Sequence, residues 1–171
     1  MNSEVYEFSN DPAFVGIVDV CSYQADFPNW DWDTLCKKVV SQMREGRILA
    51  WGTPEDSFRF VLQTGSLDYH LEPKKSYSQL FRSTGKVVLA NYDTITMCAQ
   101  FDDNALPQPE DIELNIKPGV HRITVHRFFS WNDGEQGLIK RFGDLDFIIN
   151  VEEAEAFDLQ EVSSIPWTWQ D

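Results

Sequence analysis

The sequence contains none of the short motifs that mark the common catalytic and cofactor sites. The nucleophile elbow GxSxG, the phosphate loop GxxxxGKS/T, the dinucleotide loop GxGxxG, the zinc motif HExxH and the redox motif CxxC are all absent. His121 and His126 are an odd number of residues apart, so on one strand they point to opposite faces and cannot chelate one ion. We therefore expect no catalytic residue, no cofactor and no metal. The alternatives are a Cys–His pair assembled through space, or a metal on the Asp31–Asp33 or Asp144–Asp146 pair.

Long apolar runs and an N-terminal basic segment are also missing. No run approaches the roughly 20 residues that cross a bilayer, and the segment MNSEVYEFSNDPAF lacks the basic region of a secretory signal. Cysteine is scarce and odd in number, since only Cys21, Cys36 and Cys98 occur, each flanked by apolar residues. This pattern predicts three buried reduced thiols and a cytoplasmic protein.

Basic residues are few, and the excess of acid is concentrated in two stretches. The chain has 28 acidic and 14 basic side chains, giving a net charge of −14. Residues 91–115 carry six acidic side chains and residues 144–171 carry eight, and neither stretch holds a lysine or arginine. Such a surface repels nucleic acid and anionic membranes and attracts a protein with a basic surface. Solubility is the simpler explanation of the same charge.

The length and patterning indicate one domain, residues 1–171, with no linker or repeat. Strand-like segments predominate, at residues 14–24, 47–52, 57–64, 85–92, 94–101 and 145–154. Weaker patterns suggest an arm or edge strand over 1–12, a short strand over 66–72, a loop or short helix over 73–83 and a short helix over 152–160. We predict an α+β fold, mainly antiparallel β, as a two-sheet β-sandwich-like domain with one N-terminal amphipathic helix.

The clearest strand pattern runs from Asp111 to Trp131. Residues 112–116 alternate apolar and polar side chains, Pro118-Gly119 interrupts them, and residues 122–129 alternate again. We predict a hairpin of two antiparallel strands at the centre of a sheet, with Ile123 and Val125 facing inward.

One helix has both a start and an end signal. Asp31 or Asp33 can cap it, while Arg44 in the last turn and Gly46 just beyond are typical of a helix end. An apolar stripe between them contains Trp32, Leu35, Cys36, Val39, Val40 and Met43. The residues predicted for its polar face are Lys37, Lys38, Ser41 and Gln42.

Tryptophan is frequent for this length. Trp32 and Trp51 belong to apolar patterns and are predicted to lie in the core. Trp131, Trp167 and Trp169 adjoin polar segments, where an exposed ring can stack on a sugar or anchor a protein interface. A β-sandwich that binds carbohydrate through these rings is therefore the alternative function.

Three segments resemble a known kind of protein. The FPNW segment before the helix, the ILAWG strand and the later pattern I-x-PG-x-H-R-I-x-V are similar to the competence protein J type of nuclease inhibitor, and more broadly to immunity proteins that neutralise bacterial toxins. The likeness spans residues 21–52 and 111–131. It implies a bacterial protein that binds a cognate toxin without catalysing a reaction, and it assigns no binding residue.

Charge and resemblance lead to one functional hypothesis. We predict a non-enzymatic inhibitor or immunity protein that binds a basic toxin domain, such as a nuclease, through an acidic surface, because phosphate-binding clefts are basic. The expected contacts are acidic loop residues with one tryptophan as an apolar anchor: Asp102, Asp103, Glu110, Asp111, Trp131, Asp133, Glu135, Glu152, Glu153 and Glu155.

Overall fold

The structure is a computed structural model that describes residues 4–11, 13–25, 31–65, 72–101, 105–130 and 145–168. Within these ranges the strands are β1 (Glu4–Asn10), β2 (Ala13–Asp19), β3 (Ile48–Thr53), β4 (Asp56–Thr64), β5 (Lys75–Ser83), β6 (Val87–Ala90), β7 (Ile112–Leu114), β8 (Gly119–Arg127) and β9 (Phe147–Glu153). The helices are α1 (Trp32–Arg44) and α2 (Tyr92–Gln100). The predicted predominance of strands is confirmed.

The strands form two sheets. One has the order β1-β4-β9-β8-β5 and the other the order β3-β2-β6-β7. Neighbouring strands are antiparallel except β4 and β9, which are parallel. The prediction of a mainly antiparallel, sandwich-like α+β fold with two sheets is therefore confirmed.

The core has two parts because the four-stranded sheet is covered on both faces. Between the sheets, Ile17 and Trp51 pack against the aromatic rings Phe58, Phe60 and Phe147 of the five-stranded sheet. On its other face, the four-stranded sheet packs against α1 and α2. All seven residues of β2 are buried, as expected of a strand that lies between two apolar layers. The molecule thus has a β/β/α layer order.

The helix predicted from its end signals is confirmed as α1. Asp31 caps it by accepting a hydrogen bond from the Thr34 amide at 2.8 Å, so capping explains the Asp31–Asp33 pair. The prediction that Gln42 faces solvent is wrong. Its side chain is buried and bonds both backbone groups of Gln24, at 2.6 and 2.7 Å.

The predicted hairpin is wrong, although its apolar faces are buried. Residues 112–114 form the edge strand β7, which pairs with β6 in the four-stranded sheet, whereas β8 lies between β5 and β9 in the other sheet. Pro118-Gly119 therefore belongs to a crossing between sheets rather than to a tight reversal. Leu114 and Ile123 still meet in the core between the sheets. Alternation predicts which side is buried, but not which strand is the partner.

Three other local predictions are wrong. Residues 92–100 are helix rather than strand, since Asn91 caps them through the Thr94 amide at 2.9 Å. Residues 75–83 are strand β5 rather than loop or short helix. Residues 154–163 have no helix, because β9 extends to Glu153 and irregular chain follows. Within the segment predicted as a short strand over 66–72, residues 66–71 lie outside the described residues.

The environments of the cysteines also differ from the prediction. Cys21 is exposed rather than buried, Cys36 is half-buried and Cys98 is buried. Burial raises the pKa of the Cys36 thiol to about 11 and that of the Cys98 thiol to about 12. These two thiols are therefore protonated and weakly nucleophilic at neutral pH, which argues against Cys36 or Cys98 as half of a nucleophile pair.

Candidate functional site

Acidic side chains from four connections converge at one end of the sandwich. The β1–β2 connection supplies Asp11, and the β3–β4 connection supplies Glu55 and leads to Asp56, the first residue of β4. The first turn of α2 supplies Asp93, and the segment before β7 supplies Glu110 and Asp111. We call this group the acidic end and define it as Asp11, Glu55, Asp56, Asp93, Glu110 and Asp111. Four of its members line a concave surface of about 470 Å³, the acidic cleft. Among the described residues, neither lysine nor arginine lines this cleft.

The side chain of Asn10 links the elements that surround the acidic cleft. Its side chain is only 4% exposed. The amide donates to Thr53 Oγ1 at 2.6 Å, and its oxygen accepts from the Tyr92 backbone N–H at 2.9 Å. One buried side chain thus joins the end of β1, the end of β3 and the start of α2. These hydrogen bonds connect the backbone segments that carry Asp11 and Asp93.

The carboxyl groups of Asp11 and Asp93 share a hydrogen bond. This bond, followed by partial burial and by the negative charges of Asp11 and Glu110, raises the pKa of Asp93 from its ordinary value of 3.8 to about 6. These effects together outweigh the attraction of a helix N-terminus for a carboxylate. The raised pKa therefore reflects how closely Asp93 lies to other acidic groups.

A prediction about stability follows from the sign of this shift. The folded protein holds the Asp93 proton to a higher pH than the unfolded chain, so stability contributed by this group is lost as pH rises from about 4 to about 6. We expect Asp93→Asn to gain stability relative to the wild type between pH 4 and pH 7, by about 1 kcal/mol or less because solvent screens this exposed position. Urea unfolding of both proteins at the two pH values measures the gain. A difference between the proteins that is the same at both pH values would contradict this account.

Asp111 has an internal role at the edge of the acidic end. One carboxylate oxygen accepts a hydrogen bond from Thr94 Oγ1 at 2.9 Å, and the other accepts one from the backbone N–H of Gln108 at 2.7 Å. Burial raises the pKa of Asp111, and these two hydrogen bonds oppose the rise. The residue therefore fixes the segment before β7 to α2 and keeps Glu110 beside Asp93.

The predicted contact residues do not form one surface. Glu110 and Asp111 lie at the acidic end. Glu152 and Glu153 are the last residues of β9, at the opposite end, and Glu155 follows them. Because β9 runs parallel to β4, these glutamates lie beyond Thr64 and not beside Asp56. At about 3.3 Å per residue along β4, the two groups are roughly 25 Å apart. The other predicted contacts lie outside the described residues: Asp102, Asp103, Trp131, Asp133 and Glu135.

Four members of the acidic end were not predicted as contacts: Asp11, Glu55, Asp56 and Asp93. Asp93 lies in the acidic stretch over 91–115, but the other three lie in the part of the chain whose net charge is zero, so the charge count did not single them out. The usable signal for these three was their position in short connections, NDP and TPED, that turn the chain. Only the strand order shows that both connections lie at the same end of the molecule as α2.

The tryptophans that the structure describes are mainly packing residues. Trp51 is fully buried, as predicted, and Trp32 is half-buried against Phe14 and Tyr92. Trp167 is only 6% exposed, with the Arg127 guanidinium 5.2 Å from its ring centre, so it offers no open face for stacking on a sugar. Trp131 and Trp169 lie outside the described residues.

Among the described residues, no group of three or more histidine, cysteine, aspartate or glutamate side chains is placed to hold a metal ion. No helix in these ranges has the length and apolar character needed to cross a membrane.

Comparison with known proteins places this geometry on a fold seen before. No protein-family model and no curated protein matches the chain. A solved structure titled "Crocagin biosynthetic gene J" aligns with a TM-score of 0.55 and 14% identity over 90% of this chain and 99% of its own. ComJ from Bacillus subtilis, titled as the inhibitor of the DNA degrading activity of NucA, aligns with a TM-score of 0.52 and 10% identity over 90% and 98%. The chain shares their fold. The resemblance to competence protein J drawn from sequence is thereby confirmed at the level of fold.

Proposed function

We propose that this protein is a non-enzymatic inhibitor that acts in the cytoplasm and binds the basic cleft of a nuclease or related toxin domain through its acidic end. The observation that carries the proposal is a cleft lined by four carboxylates, on a fold shared with a nuclease inhibitor. The likeness in fold supplies a precedent for the role, and the cleft supplies the chemistry.

Electrostatics favours the same kind of partner independently of that precedent. A nuclease binds the phosphate backbone with lysine and arginine side chains in a cleft. Carboxylates held at the end of a sandwich can occupy the phosphate positions and form charge-assisted hydrogen bonds with the same side chains. The long-range field of a protein with net charge −14 also raises the association rate.

The raised pKa of Asp93 adds a specific feature to the proposed contact. A lysine or arginine entering the cleft beside Asp93 favours the ionised form of its carboxyl group, so the pKa of Asp93 falls and its proton is released. The proposed contacts at the acidic end are Asp11, Glu55, Asp56, Asp93 and Glu110. Asp102, Asp103, Trp131, Asp133 and Glu135 remain proposed contacts from the sequence, and Glu152, Glu153 and Glu155 are assigned to steering.

The direct test is inhibition of a nuclease. The partner is captured from the source cell on the immobilised protein, and its degradation of DNA and RNA is measured with and without added inhibitor. We expect loss of nuclease activity at a one-to-one ratio of the two proteins. A captured partner that has no basic cleft, or whose activity is unchanged, would refute the proposal.

A further inference from the structure

The two helices differ in the side chains that they expose. Both pack on the same face of the four-stranded sheet. Helix α1 exposes charged residues of both signs, such as Asp33 and Lys37, as surface helices usually do. After Asp93, α2 exposes only Met97 and Gln100, and neither is charged. Packing on the sheet therefore does not account for the uncharged outer side of α2, because α1 packs in the same way and is charged there.

Met97 and Phe101 are two of the four large apolar side chains that are exposed among the described residues. Their exposed fractions are 41% and 47%. They are four residues apart, and the backbone N–H of Phe101 donates to the backbone oxygen of Met97 at 3.0 Å, so the helical spacing extends to Phe101. Single exposed apolar residues are normal on a protein surface, whereas neighbouring ones form patches of the kind that marks interaction sites. We call Met97 and Phe101 the apolar stripe.

The apolar stripe begins one helical turn from the acidic cleft. Asp93 lines the cleft and lies four residues before Met97, and residues at this spacing are neighbours on one side of a helix, with Cβ atoms about 5–6 Å apart. At a rise of about 1.5 Å per residue, Phe101 is roughly 12 Å along the helix from Asp93. A standard protein interface covers about 800 Å² of each partner, a patch roughly 30 Å across. One partner is therefore wide enough to cover both the cleft and the stripe.

The segment after α2 extends this uncharged surface. It returns to the first turn of the helix, since Asp111 accepts a hydrogen bond from Thr94 there. The exposed residues of the segment before Glu110 are uncharged: Ala105, Pro107 and Pro109. The acidic residues between the helix and the segment, Asp102 and Asp103, lie outside the described residues. Residues 91–115 contain no lysine or arginine, so a partner that covers the stripe meets only acidic charges from this part of the chain.

We propose that Met97 and Phe101 are the apolar anchors of the interface with the basic partner, and that this partner has an apolar pocket beside its basic cleft. The inference rests on the proposed function and adds a contact that carboxylates cannot supply. Charge complementarity mainly raises the association rate and selects the partner, whereas desolvated aromatic and methionine side chains contribute most to affinity. A second copy of this chain is disfavoured as the occupant, because each copy has a net charge of −14 and their acidic ends would repel.

Removing an anchor should weaken binding without changing the charge. Phe101→Ala should raise the dissociation constant for the nuclease or toxin domain captured by the wild type about 30-fold, as at an interface hot spot, and should leave the salt dependence of association unchanged. Phe101→Leu keeps an apolar side chain and should retain most of the affinity. Leu159→Ala is the matched control, because Leu159 is 78% exposed but lines a separate cavity with Arg47 and Arg82. This control should bind as the wild type does.

The methionine methyl groups report on the same contact without any substitution. In protein labelled with ¹³C at the methionine ε-methyl groups, the Met97 signal should shift when the captured partner is added. Met43 is the internal reference, because it is completely buried between α1 and the sheet and its signal should not move. This measurement keeps the test valid if Phe101→Ala does not fold.

Failure of the anchors can be told apart from failure of the proposed function. If Asp11→Lys combined with Glu55→Lys abolished binding while Phe101→Ala bound normally, or while the Met97 signal stayed in place, only the inference about the stripe would be overturned. If no basic partner were captured, the proposed function and this inference would both be overturned. Self-association of the free protein that Phe101→Ala abolishes, measured by analytical ultracentrifugation, would assign the stripe to a second copy and overturn the inference as well.

Discussion

Val39→Asp should unfold the protein or lower its free energy of unfolding by several kcal/mol. Val39 is completely buried on the inner face of α1, where it packs against the four-stranded sheet. The substitution loses the burial of a valine, about 1.5–3 kcal/mol, and places a carboxyl group without a partner in an apolar layer, which costs roughly 2–7 kcal/mol more. Small domains are stable by only about 5–15 kcal/mol, so little or no folded protein should remain.

Ser41→Asp is the matched control for this substitution. Ser41 lies on the exposed face of the same helix, so the same new side chain should change stability by about 0.5 kcal/mol or less. Urea unfolding followed by circular dichroism measures both variants. If Val39→Asp were as stable as Ser41→Asp, α1 would not pack on the sheet in solution.

Local sequence signals were sufficient to predict α1, because residues close together in the sequence determine where this helix begins and ends and which face is apolar. Helix α1 has a capping aspartate, a complete apolar stripe and end signals within 16 residues, Asp31–Gly46. Helix α2 is short, and Thr94, Ile95 and Thr96 at its start favour a strand by propensity. Its helical form depends on the Asn91 cap and on packing of Ile95 against β2. Contacts with other parts of the chain therefore determine that residues 92–100 are helical, against the strand propensity of the first residues.

Strand β5 was missed because a polar residue occupies a core position. Gln79 is buried and donates hydrogen bonds to the backbone oxygens of Met43 and Ile48, both at 2.9 Å. In the sequence this glutamine breaks the apolar alternation between Tyr77 and Phe81. Its acceptors belong to a helix and a strand more than 30 residues away, so no local pattern could show that it is satisfied there.

The candidate site was predictable only in part, for a similar reason. The acidic stretch over 91–115 contains both Asp93 and Glu110, of which only Glu110 was predicted as a contact. The contact of Asp93 with Asp11 depends on β1 and β4 belonging to one sheet while β2, β3 and β6 belong to the other. The same topology moves Glu152, Glu153 and Glu155 to the opposite end. Charge composition predicts that acidic patches exist, but strand order determines which carboxylates share one.

This separation of the two acidic groups allows a matched charge-reversal experiment. Asp11→Lys combined with Glu55→Lys reverses two exposed charges in the acidic cleft. Glu152→Lys combined with Glu155→Lys makes the same change in net charge at the opposite end. The binding partner is the nuclease or toxin domain captured by the wild type. The two double variants therefore have the same net charge and differ only in which end of the molecule carries the substitutions.

The cleft variant should bind the basic partner about 100-fold more weakly or worse, a loss of about 2.7 kcal/mol, because lysines would face desolvated lysine or arginine side chains. Its melting temperature should not fall, since a lysine at position 11 lies beside Asp93. The opposite-end variant should keep the affinity and change only the salt dependence of association.

For the wild type, association should slow as the Debye length shrinks from about 30 Å at 0.01 M to about 8 Å at 0.15 M salt. If both variants bound as tightly as the wild type, the charge would serve solubility, and recognition would have to use another surface.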